Sequence, residues 1–403
     1  MSVLLRKEIR SLFPAWMMTI VATLLIAFVS PNGANVLLFV VAIGCVVLGI
    51  TSFGSEFSQG TFSLLLAQPI PRSKIWSAKT MTLGTALLSV AIMVCVVLAA
   101  RFNVPGVRIQ AKDVEMPVIF TLLFLGAAFA GGLLSALSAR QMAAAFWIAL
   151  LFPLAICGAV GILTIGRSDQ TINNSMAAAL ATYDVLAFLV ARRQFLRAQD
   201  LPGATGTVIS LPAWMRFGAK APSATTAPSH RPLRALLVKE FQLHQVSLGF
   251  AVALLVLHIV VLFIRRMIVV PVGRQKDLYE ILGVWWLLWF VVPLMIAGVA
   301  FAEERRQGTL DGSLCLPARR RTQWLIKCAV CFFLAILFGG VMPWLLEVAA
   351  KFIGCPSPMF QKPSDFADHW TFLGRAVTVA AIVTLLAFYA SSLGRSLLQA
   401  LGI

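Results

Sequence analysis

The stretch Phe53–Lys79, FGSEFSQGTFSLLLAQPIPRSKIWSAK, is repeated 248 residues later as Phe301–Lys327, FAEERRQGTLDGSLCLPARRRTQWLIK. Both copies directly follow a long apolar run, and ten positions are identical without a gap. The identical pairs are Phe53/Phe301, Glu56/Glu304, Gln59/Gln307, Gly60/Gly308, Thr61/Thr309, Leu66/Leu314, Pro69/Pro317, Arg72/Arg320, Trp76/Trp324 and Lys79/Lys327. The repeat indicates an internal duplication, and a polar element repeated between membrane spans suggests a pseudo-twofold transporter.

The composition is that of a membrane protein, because 60% of the 403 residues are hydrophobic and only 12% are charged. Several apolar runs reach the roughly 20 residues that an α-helix needs to cross a bilayer. We therefore predict an all-α, polytopic integral membrane protein with about ten transmembrane helices. The predicted spans are 14–30, 34–53, 80–99, 117–137, 142–164, 175–191, 247–264, 281–302, 328–346 and 372–394.

The net charge of +17 is explained by membrane topology rather than by nucleic acid. When the N-terminus is placed in the cytoplasm, most Lys and Arg residues fall on cytoplasmic segments, in agreement with the positive-inside rule. These segments also suit anionic lipid of the inner leaflet. We expect a multi-pass protein of the cytoplasmic (inner) membrane with a cytoplasmic N-terminus, an uncleaved first span, lipid contacts and no nucleic-acid partner.

The duplication divides the chain into two homologous halves. Residues 1–191 form a first half with six spans, 192–232 form a flexible cytoplasmic linker rich in Pro and Gly, and 233–403 form a second half with four spans. The second half is short by one hairpin, so either the natural chain extends past Ile403 or that hairpin has been lost. Each half begins with Leu-Leu-x-Lys-Glu, at Leu4–Glu8 and Leu236–Glu240. These segments are predicted to be basic amphipathic helices at the membrane interface, or else plain extensions of the following span.

The repeated motif predicts an elbow at the cytoplasmic end of a span. In the first copy, Glu56 ends the span, Gly60 permits close helix approach, Thr61 caps or bonds to the backbone, and Pro69 stops a short surface helix. Arg72 is then placed to pair with Glu56. The alternative is that these residues only anchor the elbow at the interface, and that role is compatible with a functional one.

The second copy repeats the pattern with differences in its sequence. Its motif residues are Glu304, Gly308, Thr309, Pro317 and Arg320. Asp-Gly-Ser at 311–313 interrupts the leucine run, and two arginines at 305–306 make its start more basic. We therefore expect its partner contact to differ from that of the first copy.

At these residues the chain resembles the permeases of type-2 ABC exporters. Glu-x-x-x-Gly-Thr, leucines and Pro-x-x-Arg between the second and third spans are that family's recurrent pattern, and the basic helix before the first span is similar too. The resemblance implies that each elbow is a coupling helix that docks on a separate ATPase subunit. It covers the whole first half and most of the second.

The chain has no Gly-x-x-x-x-Gly-Lys-Ser/Thr motif, so it is not expected to bind nucleotide phosphates in that way. Under the resemblance, ATP and Mg²⁺ are bound by ABC ATPase subunits in trans, and this chain itself binds no cofactor. Neither a hydrolytic grouping of Ser, His and Asp nor a metal-binding spacing is evident. Cys328 and Cys331 form a Cys-x-x-Cys inside a span, without a second pair, and are expected to be ordinary core residues.

Charged residues within the spans are scarce, and two stand out. Asp184 lies near mid-bilayer in the sixth span, where an ionised carboxylate costs about 2.5–3.5 kcal/mol or more, and His258 has a similar depth in the seventh. Each is a candidate for the translocation path, or else takes part in an interhelical hydrogen bond, and His258 is one candidate partner for Asp184. Glu347 and the group Asp365, Asp368 and His369 are expected outside the membrane.

Three functional hypotheses follow. The first is the permease of an ATP-driven exporter that moves its substrate by alternating access, with the substrate unspecified. The second is an ion-coupled secondary transporter in which Asp184 carries a proton. The third is a membrane scaffold or sensor that transports nothing. Sensitivity at Glu56 and Glu304 favours the first, and sensitivity at Asp184 favours the second.

Overall fold

The computed structural model describes residues 2–29, 34–102, 111–164, 167–198, 232–267, 288–301, 304, 319–354 and 366–393. The regular secondary structure within these ranges is helical, with no β-strand. Nine of the helices found there are long and apolar enough to cross a membrane. The prediction of an all-α polytopic membrane protein is confirmed.

The chain separates into two compact units, one before and one after the 209–210 boundary. The first unit contains seven helices among its described residues: α1 (Ser2–Val29), α2 (Ala34–Gln59), the short α3 (Phe62–Leu66), α4 (Arg72–Phe102), α5 (Ala111–Ala139), α6 (Met142–Leu163) and α7 (Asp169–Arg197). All except α3 are candidate spans, which matches the six spans predicted for the first half.

The described helices of the second unit are α8 (Pro232–Leu243), α9 (Gln245–Met267), α10 (Leu288–Phe301), α11 (Arg320–Ile336), α12 (Met342–Phe352) and α13 (Phe366–Leu393). A π-helical turn, Leu337–Val341, joins α11 to α12, so that Arg320–Phe352 forms one continuous span. The other long spans are α9 and α13, and α10 is a shorter apolar helix. Each of the four spans predicted here thus corresponds to an apolar helix.

Helices α2 and α5 cross where two glycines meet in the first unit. A Cβ at Gly49 would collide with the Ala128 carbonyl, and a Cβ at Gly132 would come within 2.7 Å of the Gly49 Cα. Small residues let membrane helices approach closely enough for dispersion to hold them together, since lipid removes most of the hydrophobic driving force. This crossing fixes α2, whose end carries the first elbow.

The segments that open the two halves differ. In the first half the predicted interfacial helix is continuous with the first span as α1, which corresponds to the plain-extension alternative. In the second half α8 is a separate helix that ends just before His244, one residue ahead of α9. Glu8 and Glu240 lie at equivalent positions and are both buried, at 2% and 4% exposure.

Candidate functional site

Four charged residues, three of them buried, form the first network at the junction of α1, α2 and α4. Lys79 has no exposed surface, and its Nζ lies 2.8 Å from Glu8 Oε2 and 3.5 Å from Glu56 Oε1. The same ammonium donates a hydrogen bond of 2.8 Å to the Ser52 carbonyl. Lys7, which is half-exposed, donates to Glu56 Oε1 at 2.9 Å. Two cations thus balance two anions.

The second unit contains the same arrangement, the second network. Lys327 Nζ lies 3.0 Å from Glu240 Oε2 and 3.1 Å from Glu304 Oε2. It also donates a 3.0 Å hydrogen bond to the Ala300 carbonyl. Lys239 Nζ lies 2.7 Å from Glu304 Oε1. Both glutamates and Lys327 are buried.

The two networks correspond residue by residue. The matching pairs are Lys7/Lys239, Glu8/Glu240, Ser52/Ala300, Glu56/Glu304 and Lys79/Lys327. Each central lysine also lies over the ring of the repeated phenylalanine, 5.1 Å from the centroid of Phe53 and 5.2 Å from that of Phe301. Buried ions of one sign are costly, so pairing and hydrogen bonding are what make these positions tolerable. The repeat therefore preserves a three-helix charge junction as well as an elbow.

The first elbow is built on a Schellman motif, which explains the Glu-x-x-x-Gly-Thr pattern. Helix α2 ends at Gln59, and Gly60 adopts a φ of +66° that favours glycine. The Thr61 amide donates to the Glu56 carbonyl at 2.9 Å, and the Gly60 amide donates to the Phe57 carbonyl at 3.3 Å. The Thr61 hydroxyl donates to the Glu56 carboxylate. The motif thus ties the helix end to the first network.

After this turn the chain forms the short helix that the sequence predicts. Helix α3 buries Phe62 and Leu65, whereas Leu64 is 66% exposed. The segment around Pro69 is non-helical, and α4 begins at Arg72.

The predicted pairing of Arg72 with Glu56 is wrong. Arg72 donates instead to the Leu196 carbonyl at 2.9 Å, at the end of α7. Burial decides the outcome, because the Lys79 ammonium reaches Glu56 from inside the junction and Lys7 from its rim.

Of the second elbow, the structure describes Glu304 and Arg320. Glu304 belongs to the second network, and Arg320 is exposed at the start of α11. Glu304 is contacted by Lys239 and Lys327. The predicted pairing of Arg320 with Glu304 stays a prediction. Gly308, Thr309 and Pro317 lie outside the described residues.

The sequence interpretation missed the lysines and the first glutamate of each network as site residues. Two signals pointed to them: Lys79/Lys327 is one of the ten identities, and Leu-Leu-x-Lys-Glu opens both halves. Glu8 was assigned to an interfacial helix because local periodicity does not reveal a partner 71 residues away.

The second network has a polar neighbour that the first lacks. His244, with no exposed surface, lies with Nε2 3.5 Å from Cys331 Sγ. The equivalent first-half positions are Leu12 and Leu83, both buried. Burial, followed by the charge of Lys327, lowers the pKa of His244 to about 3. His244 is therefore a neutral ring at physiological pH.

Burial also raises the pKa of Glu240 above its ordinary value, although Lys327 opposes the shift. Among the side chains that the structure describes, no group of three or more His, Cys, Asp or Glu residues could hold a metal ion. His244 and Cys331 thus form a pair, not a metal centre.

Asp184 on α7 packs against α5, where Gly126 leaves room for it. A Cβ at Gly126 would collide with Asp184 Oδ2, and the neighbouring Tyr183 hydroxyl similarly occupies the space beside Gly131. Asp184 Oδ1 is buried and has no hydrogen-bond partner among the described residues. A carboxylate without such a partner in a membrane span is a candidate for proton or substrate binding.

His258 has its partners within the second unit. Trp289 Nε1 on α10 donates to His258 Nδ1 at 3.1 Å. On the other side of the ring, His258 Nε2 lies 3.5 Å from Glu347 Oε1 on α12. All three side chains are buried. The helix that carries Glu347 continues from Arg320 to Phe352, and the expectation that Glu347 lies outside the membrane stays a prediction.

Comparison with protein-family models, curated proteins and solved structures gives no match.

Proposed function

We propose that the chain is the membrane-spanning permease subunit of an ATP-binding cassette exporter. In this proposal a separate ATPase subunit docks on the elbows, and its ATP-driven closure moves the spans by alternating access. The observation that carries the proposal is the duplicated charge junction, Lys7–Glu8–Glu56–Lys79 and Lys239–Glu240–Glu304–Lys327. A junction that occurs once in each unit is what two ATPase-docking elbows would need as their support.

The contacts of the first elbow suit the transmission of force. A push on α3 reaches Glu56 through Thr61, and Glu56 is bound to Lys79 on α4 and Lys7 on α1. Interactions between buried charges respond strongly to small displacements because the surrounding dielectric is low. Movement of the elbow would therefore be felt by three helices together.

The exposed part of the elbow provides a docking surface. Leu64 projects from α3, while Phe62 and Leu65 hold that helix to the protein. An exposed leucine between buried anchors resembles the apolar contact at the centre of many protein interfaces. The proposed partner is an ABC ATPase, bound in trans, that carries ATP and Mg²⁺.

The test is affinity purification of the tagged full-length chain from native membranes in a gentle detergent, followed by mass spectrometry. We expect a stoichiometric partner with a Walker A sequence, which is lost in the Leu64→Asp variant. Leu64 is chosen because its side chain contributes little to the folded core. Intact, monodisperse protein that retains no such partner would contradict the proposal.

A second candidate function, ion-coupled secondary transport, is favoured by the buried Asp184 Oδ1 that lacks a hydrogen-bond partner among the described residues. There, Asp184 would bind a proton during each transport cycle. The Asp184→Asn variant distinguishes the two: it abolishes transport under the second candidate and leaves ATPase association intact under the first.

A further inference from the structure

The end of α7 carries three exposed arginines, Arg192, Arg193 and Arg197, which we call the arginine cluster. Their guanidinium groups form no hydrogen bond or ion pair with another residue that the structure describes. Together with Leu189 and Leu196, they border an open recess on the surface of the first unit. The N–H donors of the cluster are therefore available to a ligand.

The inward face of α7 fixes the direction of the arginine cluster. Ala191 and Phe195, four residues apart on one helix face, have no exposed surface. The Phe195 ring packs against three rings of the first elbow region, with centroid distances of 5.1 Å to Phe53, 5.7 Å to Trp76 and 6.5 Å to Phe62. Because this face is held against the elbow, the arginine cluster faces away from the core.

The outward face of α7 is apolar immediately before the arginine cluster. Four large aliphatic side chains there are 43–59% exposed and form what we call the outer apolar face: Val185, Leu186, Leu189 and Val190. In a membrane-spanning helix such side chains contact acyl chains, and arginines at the helix end extend towards the headgroups. The surface thus combines a cationic part with an adjoining apolar part.

The cluster lies at the same end of the first unit as the elbow. Arg72, at the start of α4, donates to the Leu196 carbonyl at 2.9 Å. The Ser138 hydroxyl, at the end of α5, lies 3.1 Å from Gln194 Oε1. These contacts place the arginine cluster in the leaflet on the elbow's side.

The acids of the helices around it do not offset the charge of the cluster. Asp184 is eight residues before Arg192, about 12 Å along the helix, and its carboxylate faces α5. Asp169 begins α7 at the other end, while Glu8 and Glu56 are buried in the first network. Helices α3, α4 and α6 have no acid, and those of α5 lie within its first five residues, at the opposite end from Ser138.

We propose that the arginine cluster binds the phosphate headgroup of an anionic phospholipid, whose acyl chains lie along the outer apolar face. Guanidinium groups present paired N–H donors that match phosphate oxygens. An acidic protein surface would satisfy the charge alone, whereas the adjoining apolar side chains favour a ligand that carries acyl chains. The site does not depend on an ATPase partner.

The test is native mass spectrometry of the full-length protein in a non-ionic detergent, titrated with dioleoylphosphatidylglycerol. Dioleoylphosphatidylcholine, which has the same acyl chains and no net charge, is the reference lipid. We expect the wild type to prefer the anionic lipid, and Arg192→Gln/Arg193→Gln to bind it at least about tenfold more weakly. Equal affinity of the wild type and this variant for the anionic lipid would overturn the proposal.

The matched control removes the same charge from another helix. Arg6 and Arg10 are exposed on α1, and Arg6→Gln/Arg10→Gln should leave the affinity within about threefold of the wild type, because charges farther away are screened. An equal loss in both double variants would show general attraction by positive charge and would contradict a site on α7. Inorganic phosphate is added as a competitor, and displacement of the lipid at equal concentration would show a site for free phosphate instead.

Photocrosslinking locates the site without any substitution. A photoactivatable phosphatidylglycerol, incorporated into phosphatidylcholine nanodiscs with the wild-type protein, should crosslink to the α7 segment from Val185 to Arg197. Crosslinks that avoid this segment would contradict the proposal. If Arg192→Gln/Arg193→Gln keeps the lipid and loses a co-purified protein, the arginine cluster contacts protein and the lipid site is overturned.

Discussion

Lys79 and Lys7 both contact Glu56, yet their surroundings differ. Lys79 has no exposed surface, while the Lys7 side chain is 49% exposed. Removing a buried partner leaves an uncompensated charge, whereas an exposed pair is screened by water. The energetic centre of the first network is therefore Lys79.

We predict that Lys79→Met lowers the free energy of unfolding by about 3–5 kcal/mol, because Glu8 and Glu56 remain buried without it. Lys7→Met should cost less than about 1 kcal/mol. Denaturant titration of both purified variants in the same detergent makes the comparison. Equal losses would contradict the assignment of Lys79 as the centre.

His244 predicts a pH dependence of stability. Its pKa is lowered from 6.5 to about 3 by burial, so the folded state disfavours the proton that the unfolded chain accepts. This contribution to stability is present above pH 6.5 and is lost as the pH falls towards 3. Replacing His244 with the leucine found at the equivalent Leu12 should remove it.

Unfolding midpoints at pH 7 and pH 5 for the wild type and His244→Leu measure this effect. We expect the wild type to lose more stability than the variant over that interval. The raised pKa of Glu240 acts in the opposite sense, since its contribution is present at low pH and lost as the pH rises. It is common to both proteins and largely cancels in the comparison. Identical pH dependence in the two proteins would contradict the assignment.

At the level of elements, the elbow depends on one backbone conformation. Gly60 has a φ of +66°, and a Cβ there would meet no atom within 4 Å. The cost of Gly60→Ala is therefore conformational and should be about 1–2 kcal/mol. Gly60→Asn should cost less, because asparagine tolerates this region better. Thermal unfolding in detergent ranks the three proteins, and an alanine variant as stable as the wild type would contradict the Schellman assignment.

Glycine is needed at the crossing of α2 and α5 for lack of space, and not for its backbone conformation. Its glycines are in ordinary helical conformation but have no space for a side chain. We predict that Gly132→Ala destabilises the protein by about 1–3 kcal/mol through overpacking. The control is Gly158→Ala on α6, where a Cβ meets nothing within 4 Å. If both substitutions have the same effect on the thermal midpoint, the crossing is not tightly packed.

The spans could be predicted because length and apolarity are local properties, and Gly60 and Pro69 marked the elbow for the same reason. The partners of Glu8 and Glu347 could not be predicted, because Lys79 and His258 come from helices distant in sequence. From the sequence alone, an acid near the end of an apolar run cannot be assigned to water or to a partner inside the protein.

At the scale of the whole molecule, the duplication is more symmetric in its charge junctions than in its other polar contacts. Both networks place one lysine between two glutamates, but the pair His244–Cys331 and the cluster around Glu347 have no counterpart among the described residues of the first unit. The two halves therefore share the charge junction and differ in the polar contacts around it.

The exposed elbow surface predicts a separable defect. Leu64→Asp, at the exposed surface of the first elbow, should reduce ATPase co-purification at least tenfold, because a charge is then placed within an apolar contact. The matched control is Phe352→Asp, an exposed apolar residue at the end of the span that begins at Arg320. It should leave the partner bound. Loss of the partner in Phe352→Asp to the same extent as in Leu64→Asp would show that a general defect, rather than the elbow surface, controls association.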